Sequence, residues 1–196
     1  MKPLQGLLVL AMFQAVGSGS APDPAGVVER YFGAHDPKAK ALCLSKDFRM
    51  WFESDSGASE SRSEILRGSG WDDQLRGRSR IVRMDVRGDT VVVLAHEDND
   101  FSLLIGYQGW DPTITFVVDQ AGLLERALYV PKAGAPSWRS ALEPALPWLR
   151  ENRPDELARV FPNGKLTRTR EAAKEWVEIL RAWRKATGQP DPTNPD

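Results

Sequence analysis

Cysteine and histidine are nearly absent from this sequence of 196 residues. It contains one cysteine, Cys43, and two histidines, His35 and His96. A single cysteine excludes a disulfide within the chain and any site that needs several cysteines around zinc or an iron–sulfur cluster. We therefore expect neither a metal nor a cofactor, and we expect Cys43 to behave as a small buried hydrophobic residue.

A surplus of positive charge is also missing. Lys and Arg together number 26 and Asp and Glu number 27, so the formal net charge is −1. Without a basic field the chain has little to hold a nucleic-acid backbone, and we expect no nucleic acid among its partners. The sequence also lacks GxSxG, phosphate-loop and GxGxxG patterns, so nothing in it supports nucleophilic hydrolysis or nucleotide use.

No hydrophobic run reaches the roughly 20 residues that a membrane-spanning helix needs. The apolar run Leu7–Val16 follows Lys2 and precedes five small residues, 17–21, an order typical of a secretory signal. We expect residues 1–20 to be removed on export and residues 21–25 to form a linker. The mature protein would then be periplasmic or secreted, with no membrane attachment. The alternative is an unprocessed, flexible N-terminus.

Helices come first in the remaining chain, and strands follow. Spacing of apolar residues distinguishes the two, because helices repeat every 3.6 residues and strands every two. A sheet of antiparallel strands preceded by helices belongs to the α+β class, which we predict for a domain at residues 26–131. The predicted elements are helices at 26–35, at 37–45 and after a cap at Ser61 or Ser63, a strand at 48–52, and a continuous antiparallel meander at 79–130 that includes the apolar stretch 101–107.

Residues 132–188 read as a helical extension that packs on this domain. Prolines divide its first part into short pieces, and one long amphipathic helix is predicted at Thr169–Ala186. Its apolar stripe includes Trp176, Leu180 and Trp183, which a single helix cannot bury by itself. The last residues, 189–196, are rich in proline, and we expect them to form a disordered tail.

Three short motifs resemble the NTF2-like superfamily, which includes ketosteroid isomerase and the SnoaL-like polyketide cyclases. Val27-Val28-Glu29-Arg30-Tyr31 is similar to the opening helix of the isomerases, Asp36 stands where the second helix begins, and Phe116–Gly122 with Arg126–Tyr129 resembles the final hairpin. The resemblance covers residues 26–131. It implies an exported bacterial member with a curved antiparallel sheet wrapped around the N-terminal helices, a cone with a largely apolar pocket, and a homodimer through the sheet.

The same resemblance assigns one catalytic residue and removes two. Tyr31 matches the isomerase tyrosine that donates a hydrogen bond to the developing oxyanion, although a tyrosine that only packs its ring is the alternative. The isomerase base falls near Phe52 and the second oxyanion donor falls at Ile114. Neither side chain can carry a proton, so steroid isomerisation is not expected.

Polar residues elsewhere supply further candidates for the pocket. In the segment 96–100, period two places Glu97 and Asn99 on one face of a strand and His96 and Asp98 on the other, and either face can be the concave one. Arg126 shares an apolar face with Leu124 and Leu128, so it needs a carboxylate partner, for which we propose Glu97. Tyr107 and Trp110 lie near the expected mouth, where they either cover a ligand or anchor a loop.

Two functions remain open at this point. The first is the binding of a small apolar molecule, with Asn99, Tyr107, Trp110 and Arg126 around it. The second is a cofactor-independent isomerase, polyketide-cyclase-like enzyme or hydrolase, in which Tyr31 stabilises an oxyanion and Glu97 acts as the base. Arg126 beside Glu97 would lower the pKa of that carboxylate and weaken it as a base, so the sequence favours binding.

Overall fold

The N-terminal helices begin at aspartate–proline pairs. The computed structural model describes residues 22–34, 36–53 and 59–194, so the expected signal segment 1–20 and His35 lie outside the described residues. Helices α1 (Pro24–Gly33) and α2 (Pro37–Cys43) start with a proline, and the preceding Asp23 and Asp36 accept hydrogen bonds from backbone N–H groups. Proline is favoured there because the first N–H groups of a helix lack a partner within it.

Six strands form one curved sheet in the order β2-β1-β6-β5-β4-β3. The predicted α+β cone is confirmed, but the sheet is mixed rather than purely antiparallel, because β1 pairs in parallel with β6. These two strands are far apart in the chain, so no hairpin dictates their relative direction. The strands are β1 (Leu44–Phe52), β2 (Ser59–Ser61), β3 (Arg78–Arg87), β4 (Thr90–Asp98), β5 (Thr113–Val118) and β6 (Leu124–Val130).

Two bulges change which residues of the sheet face inward. In β3, Ile81 pairs with Ala95 and Arg83 with Leu94, so Val82 is an extra residue. In β6, Leu124 pairs with Val118 and Arg126 with Val117, so Glu125 is extra. An extra residue shifts the alternation of side chains by one position. After each bulge, the residues that face the interior therefore differ from those that strict alternation predicts.

Helix α3 (Arg62–Gln74) follows β2. A further helix, only five residues long, interrupts the meander between β4 and β5. The predicted third helix is confirmed, with Ser61 as its N-cap. The stretch 101–107, expected as part of the sheet, instead contains α4 (Asp100–Leu104). Asn99 caps α4, since its side-chain oxygen accepts from the Ser102 N–H while the Ser102 hydroxyl oxygen accepts from the Asn99 N–H. This reciprocal cap stabilises a helix where hydrophobicity alone suggests a strand.

The C-terminal helices build a second core. The long helix α8 (Arg170–Ala186) packs its tryptophan stripe against α3 and α4, and the ring of the fully buried Trp176 lies 5.2 Å from that of Phe101. No helix among the described residues, α8 included, has the length and apolarity to cross a membrane. The other helices are α5 (Trp138–Leu142), α6 (Leu146–Asn152) and α7 (Pro154–Val160), followed by a 3-10 turn at Pro162–Gly164.

The segment after α8 folds back onto the protein, which corrects the expectation of disorder for residues 189–194. Thr193 is buried, and its carbonyl accepts a hydrogen bond of 2.8 Å from Arg76. Asp191 forms an ion pair with Arg181 at 3.0 Å. These polar contacts order a proline-rich segment that has little apolar surface to bury.

The packing of α8 can be tested with two identical substitutions at different burial. Leu180 is fully buried and Leu42 is 79% exposed. We expect Leu180→Ala to lower the free energy of unfolding by about 2–5 kcal/mol, because it leaves a cavity in the second core. Leu42→Ala is expected to change it by less than about 0.5 kcal/mol. Urea unfolding followed by tryptophan fluorescence measures both, and equal effects would contradict the docking of α8.

Candidate functional site

A cavity of about 950 Å³ lies between the concave face of the sheet, the N-terminal helices and the extension. Such a volume accommodates a small organic molecule. The extension contributes to the wall through Trp138 and Leu166, so the cavity touches both cores. Its apolar lining consists largely of rings, with Tyr31, Phe32, Phe52, Trp71, Phe101, Tyr107, Trp110, Phe116, Tyr129 and Trp138.

Glu97 provides a carboxylate near the C-terminal end of β4. It shares the interior face of the strand with Val91, Val93 and Ala95, which are fully buried, and this settles which face of the segment is concave. Its side chain accepts a hydrogen bond from the hydroxyl of Tyr129 on β6. The two residues form a carboxylate–phenol pair inside a mostly apolar cavity.

The surroundings of this pair raise the pKa of both groups. Burial raises the pKa of the Glu97 carboxyl above its ordinary value, and the nearby Asp72 raises it further, whereas the hydrogen bond from Tyr129 opposes the shift. Burial and the negative charge of Glu97 raise the pKa of the Tyr129 hydroxyl as well. A raised pKa moves the Glu97 carboxyl toward the range in which general acids and bases work best.

Tyr31 lies on α1 and contributes its ring and hydroxyl to the cavity. The ring packs against Phe116 with centroids 5.8 Å apart. No hydrogen-bond partner for its hydroxyl is found in the part of the chain that the structure describes. Burial, followed by the charges of Glu97 and Asp72, raises the pKa of that hydroxyl. Tyr31 therefore remains a neutral donor that faces the same space as Glu97.

Asn99 reaches the cavity wall but its side-chain oxygen is already used. It accepts a hydrogen bond of 2.9 Å from the Ser102 N–H as the cap of α4. Asn99 is also buried, so the cap is shielded from water. The first role of this residue is therefore to hold the start of α4, although it contributes to the cavity lining as expected for a ligand-binding residue.

Tyr107 and Trp110 both line the cavity, with ring centroids 5.1 Å apart. The backbone of Trp110 forms a two-way bridge with Glu97, with N···O distances of 2.7 and 2.9 Å. Gly109 makes this approach feasible, because a Cβ atom there would lie 2.5 Å from the Glu97 carbonyl oxygen, at a φ of +100°. The backbone of Trp110 is thus bonded directly to that of Glu97, the candidate catalytic residue.

An ionic cluster is formed by residues next to Glu97 and Trp110 in the sequence. His96 lies between Asp111, 2.8 Å from its Nδ1, and Asp98, 3.5 Å from its Nε2. The hydrogen bond from His96 and its charge lower the pKa of Asp111, which also faces Lys132. Among residues 22–34, 36–53 and 59–194 there is no group of three or more Asp, Glu, His and Cys arranged to hold a metal ion.

The expectation for Arg126 is wrong. Its side chain is 57% exposed on the outer face of the sheet, where it lies 3.7 Å from Glu125 instead of meeting Glu97. The bulge at Glu125 is the cause, because it moves Arg126 outward and turns Ala127 and Tyr129 inward. Arg126 is therefore not part of the cavity, and it cannot lower the pKa of Glu97 by direct contact.

Tyr129, which sequence reasoning did not select, takes the place expected for Arg126 as the partner of Glu97. Its ring also packs against Phe52, with centroids 5.3 Å apart. Phe52 and Ile114 both line the cavity, so the two positions where the isomerases carry acidic groups are apolar walls here. The sequence did contain a pointer to Tyr129, because this residue belongs to the motif Arg126–Tyr129. It was not selected because strict alternation from Leu124 places its side chain on the outer face of the sheet.

Comparison with known proteins adds structural likeness and no sequence relative. No model of a protein family matches the chain. No curated protein matches it in sequence either. Among solved structures, PrhC from Penicillium brasilianum is 11% identical with a TM-score of 0.50, over 82% of this chain and 95% of that one.

Two bacterial structures match the domain more narrowly. A putative ketosteroid isomerase from Kribbella flavida is 15% identical with a TM-score of 0.48, over 58% of this chain and 81% of that one. An NTF2-like protein of unknown function from Cytophaga hutchinsonii is 9% identical with a TM-score of 0.45, over 57% and 91%.

At these identities a likeness speaks for fold and not for activity. The chain shares its fold, an α+β cone with a curved sheet, with the PrhC structure. The match to PrhC covers more of the chain than residues 26–131 account for, so it includes part of the helical extension.

The raised pKa of Glu97 predicts how stability depends on pH. The unfolded carboxyl titrates near its ordinary value of 4.5, whereas the folded one titrates higher. Between these two pKa values the folded state binds more protons, so the contribution of Glu97 is fully present below the lower value and is lost as the pH rises through the higher one.

We expect the free energy of unfolding of the wild type, relative to Glu97→Gln, to fall as the pH rises from about 4.5. The glutamine removes the titration and keeps an acceptor for Tyr129. Urea unfolding across the pH range measures the difference. Glu125→Gln, at an exposed carboxylate, is the matched control and is expected to show a flat difference. A rise with pH for Glu97→Gln would contradict the prediction.

Proposed function

We propose that the protein binds a small, largely apolar molecule in the cavity, with the polar end of that molecule at Glu97, Tyr129 and Tyr31. The observation that carries this proposal is the pairing of Glu97 with Tyr129 inside a cavity whose apolar lining consists largely of rings. Burying a carboxyl group has a free-energy cost that a fold does not need for stability alone. Ligand binding gives these polar groups a purpose that packing does not.

A second candidate is a cofactor-independent enzyme of the isomerase, cyclase or hydrolase type. Two observations favour it, the raised pKa of Glu97 and the absence of Arg126 from the cavity. In such a reaction the Glu97 carboxylate takes a proton from a carbon next to a carbonyl group. The Tyr31 hydroxyl then donates a hydrogen bond to the negative oxygen that forms, so that charge develops beside a fixed donor.

The exported location and the homodimer through the sheet are also proposals. A signal at residues 1–20 would direct the mature chain to the periplasm or the medium. The outer face of the sheet supports self-association because it exposes the large apolar residues Leu94 and Leu128. Clusters of exposed apolar side chains are typical of surfaces that bind another protein.

One measurement tests the proposals of ligand binding, export and a homodimer. Native mass spectrometry of the protein purified from its natural source is expected to show the mass of a chain without residues 1–20, in two copies, with a small molecule retained. A chain that begins at Met1 in the cytoplasm would contradict export, and a monomer at working concentration would contradict the dimer. Protein that neither retains nor takes up any small apolar molecule would contradict the binding proposal.

Variants of the polar groups then separate binding from catalysis. We expect Tyr31→Phe and Glu97→Gln each to weaken binding of the retained molecule by about tenfold, as the loss of one buried hydrogen bond implies. Glu125→Gln, on the outer face, serves as the control with unchanged binding. Turnover of the molecule that disappears in Glu97→Gln would favour the enzyme. Unchanged affinity in both cavity variants would remove these residues from the site.

A further inference from the structure

Most charged side chains around the cavity are already neutralised by a neighbour. Arg76 pairs with Asp100 at 2.8 Å, and Arg168 pairs with Glu60 at 3.2 Å. The remaining pairs of this kind are Arg78 with Asp98, Lys132 with Asp111 and Asp73 with Arg170. Paired groups present little net charge to a ligand, so the charge of the cavity depends on the few lining groups outside these pairs.

Three lining groups stand outside these ion pairs, namely Glu97, Asp72 on α3 and Lys40 on α2. Within the described parts of the chain, neither carboxylate has a cationic group closer than 4.0 Å, and Lys40 has no carboxylate within that distance. The negative groups therefore outnumber the positive one by two to one. Lys40 instead places its Nζ atom 5.9 Å from the centre of the Tyr31 ring.

These charges shift the pKa values of the Tyr31 hydroxyl and the Glu97 carboxyl. Glu97 and Asp72 both raise the pKa of the Tyr31 hydroxyl. Asp72 also raises the pKa of Glu97, whereas Lys40 and His96 each lower it by a smaller amount. The potential around Tyr31 is therefore negative, and it favours positive or neutral ligands over anions.

Aromatic rings surround the same region. The face of a ring carries partial negative charge, so it attracts an ammonium group at a distance of about 6 Å or less from its centre. The contact of Lys40 with Tyr31 is an interaction of this kind within the protein itself. Tyr107, Trp110 and Tyr129 offer further rings on the cavity wall close to Glu97.

We infer that the ligand of this cavity carries a protonated amine, which Asp72 and Glu97 hold among these rings while its apolar part fills the rest of the cavity. This inference rests on the proposed binding function and specifies the chemical class of the ligand. The amine supplies the positive charge that both carboxylates lack, and it supplies a hydrogen-bond donor to Asp72, whereas Glu97 already accepts from Tyr129. A carboxylate or phosphate in the same place would meet two like charges.

Three probes of nearly equal shape test the charge preference, 2-(1-naphthyl)ethylamine, 2-(1-naphthyl)ethanol and 1-naphthylacetic acid. We expect calorimetric titration of the full chain at neutral pH to show the amine binding at least tenfold more tightly than the alcohol, and the acid most weakly. Asp72→Asn and Glu97→Gln are each expected to bring the amine close to the alcohol. Asp85→Asn, on the exposed strand β3, is the control and is expected to leave the preference intact.

The outcomes separate this inference from the function on which it rests. Equal binding of the amine and the alcohol would overturn the inference and leave a neutral apolar ligand. Tightest binding of the acid would also overturn it and assign the anchoring role to Lys40. Failure of all three probes to bind would count against the inference and the binding function together. A preference for the amine that survives both cavity variants would overturn the assignment to Asp72 and Glu97.

Discussion

Strand β6 carries one more residue than the strand beside it, and this extra residue decides which of its side chains face the interior. The bulge at Glu125 turns Ala127 and Tyr129 inward, opposite Phe116 and Ile114 on β5. Without it, Tyr129 would point to the outer face and Glu97 would lose its hydrogen-bond donor. A buried carboxyl group without a partner costs several kcal/mol, so the site as observed depends on this one irregularity.

The helical extension adds a wall to the cavity of the cone. Its long helix is amphipathic and cannot remain in water with Trp176 exposed, so it packs on α3 and α4. That packing also brings Trp138 and Leu166 to the cavity wall. Hydrophobic burial therefore determines both the stability of the extension and the shape of the space in which a ligand would lie.

Regular elements could be predicted from the sequence because their apolar residues repeat with a clear period. Helices α1 and α8 and the hairpin of β3 and β4 follow from such patterns, whereas α3 was predicted from a serine that can cap it. The assignment of Arg126 failed because periodicity cannot register an inserted residue, and alternation reverses beyond it. Helix α4 was missed because a cap between Asn99 and Ser102, rather than an apolar period, determines it. Glu97 was found because it belongs to the polar segment 96–100 directly after an apolar strand, although periodicity left open which face of the strand is concave.

The same physical property of Glu97 suits both proposed functions, binding and catalysis. Burial makes ionisation of its carboxyl group unfavourable, and Tyr129 offsets only part of that cost. The remaining cost can be met by a proton, which leaves a neutral acid, or by a ligand that brings a donor or a positive charge. A group balanced in this way responds to whatever enters the cavity, because the ligand that stabilises the carboxylate also releases its proton. In both proposed functions, ligand binding and proton transfer thus involve the Glu97 carboxyl group. The chemistry of the ligand then decides which of the two proposed functions applies.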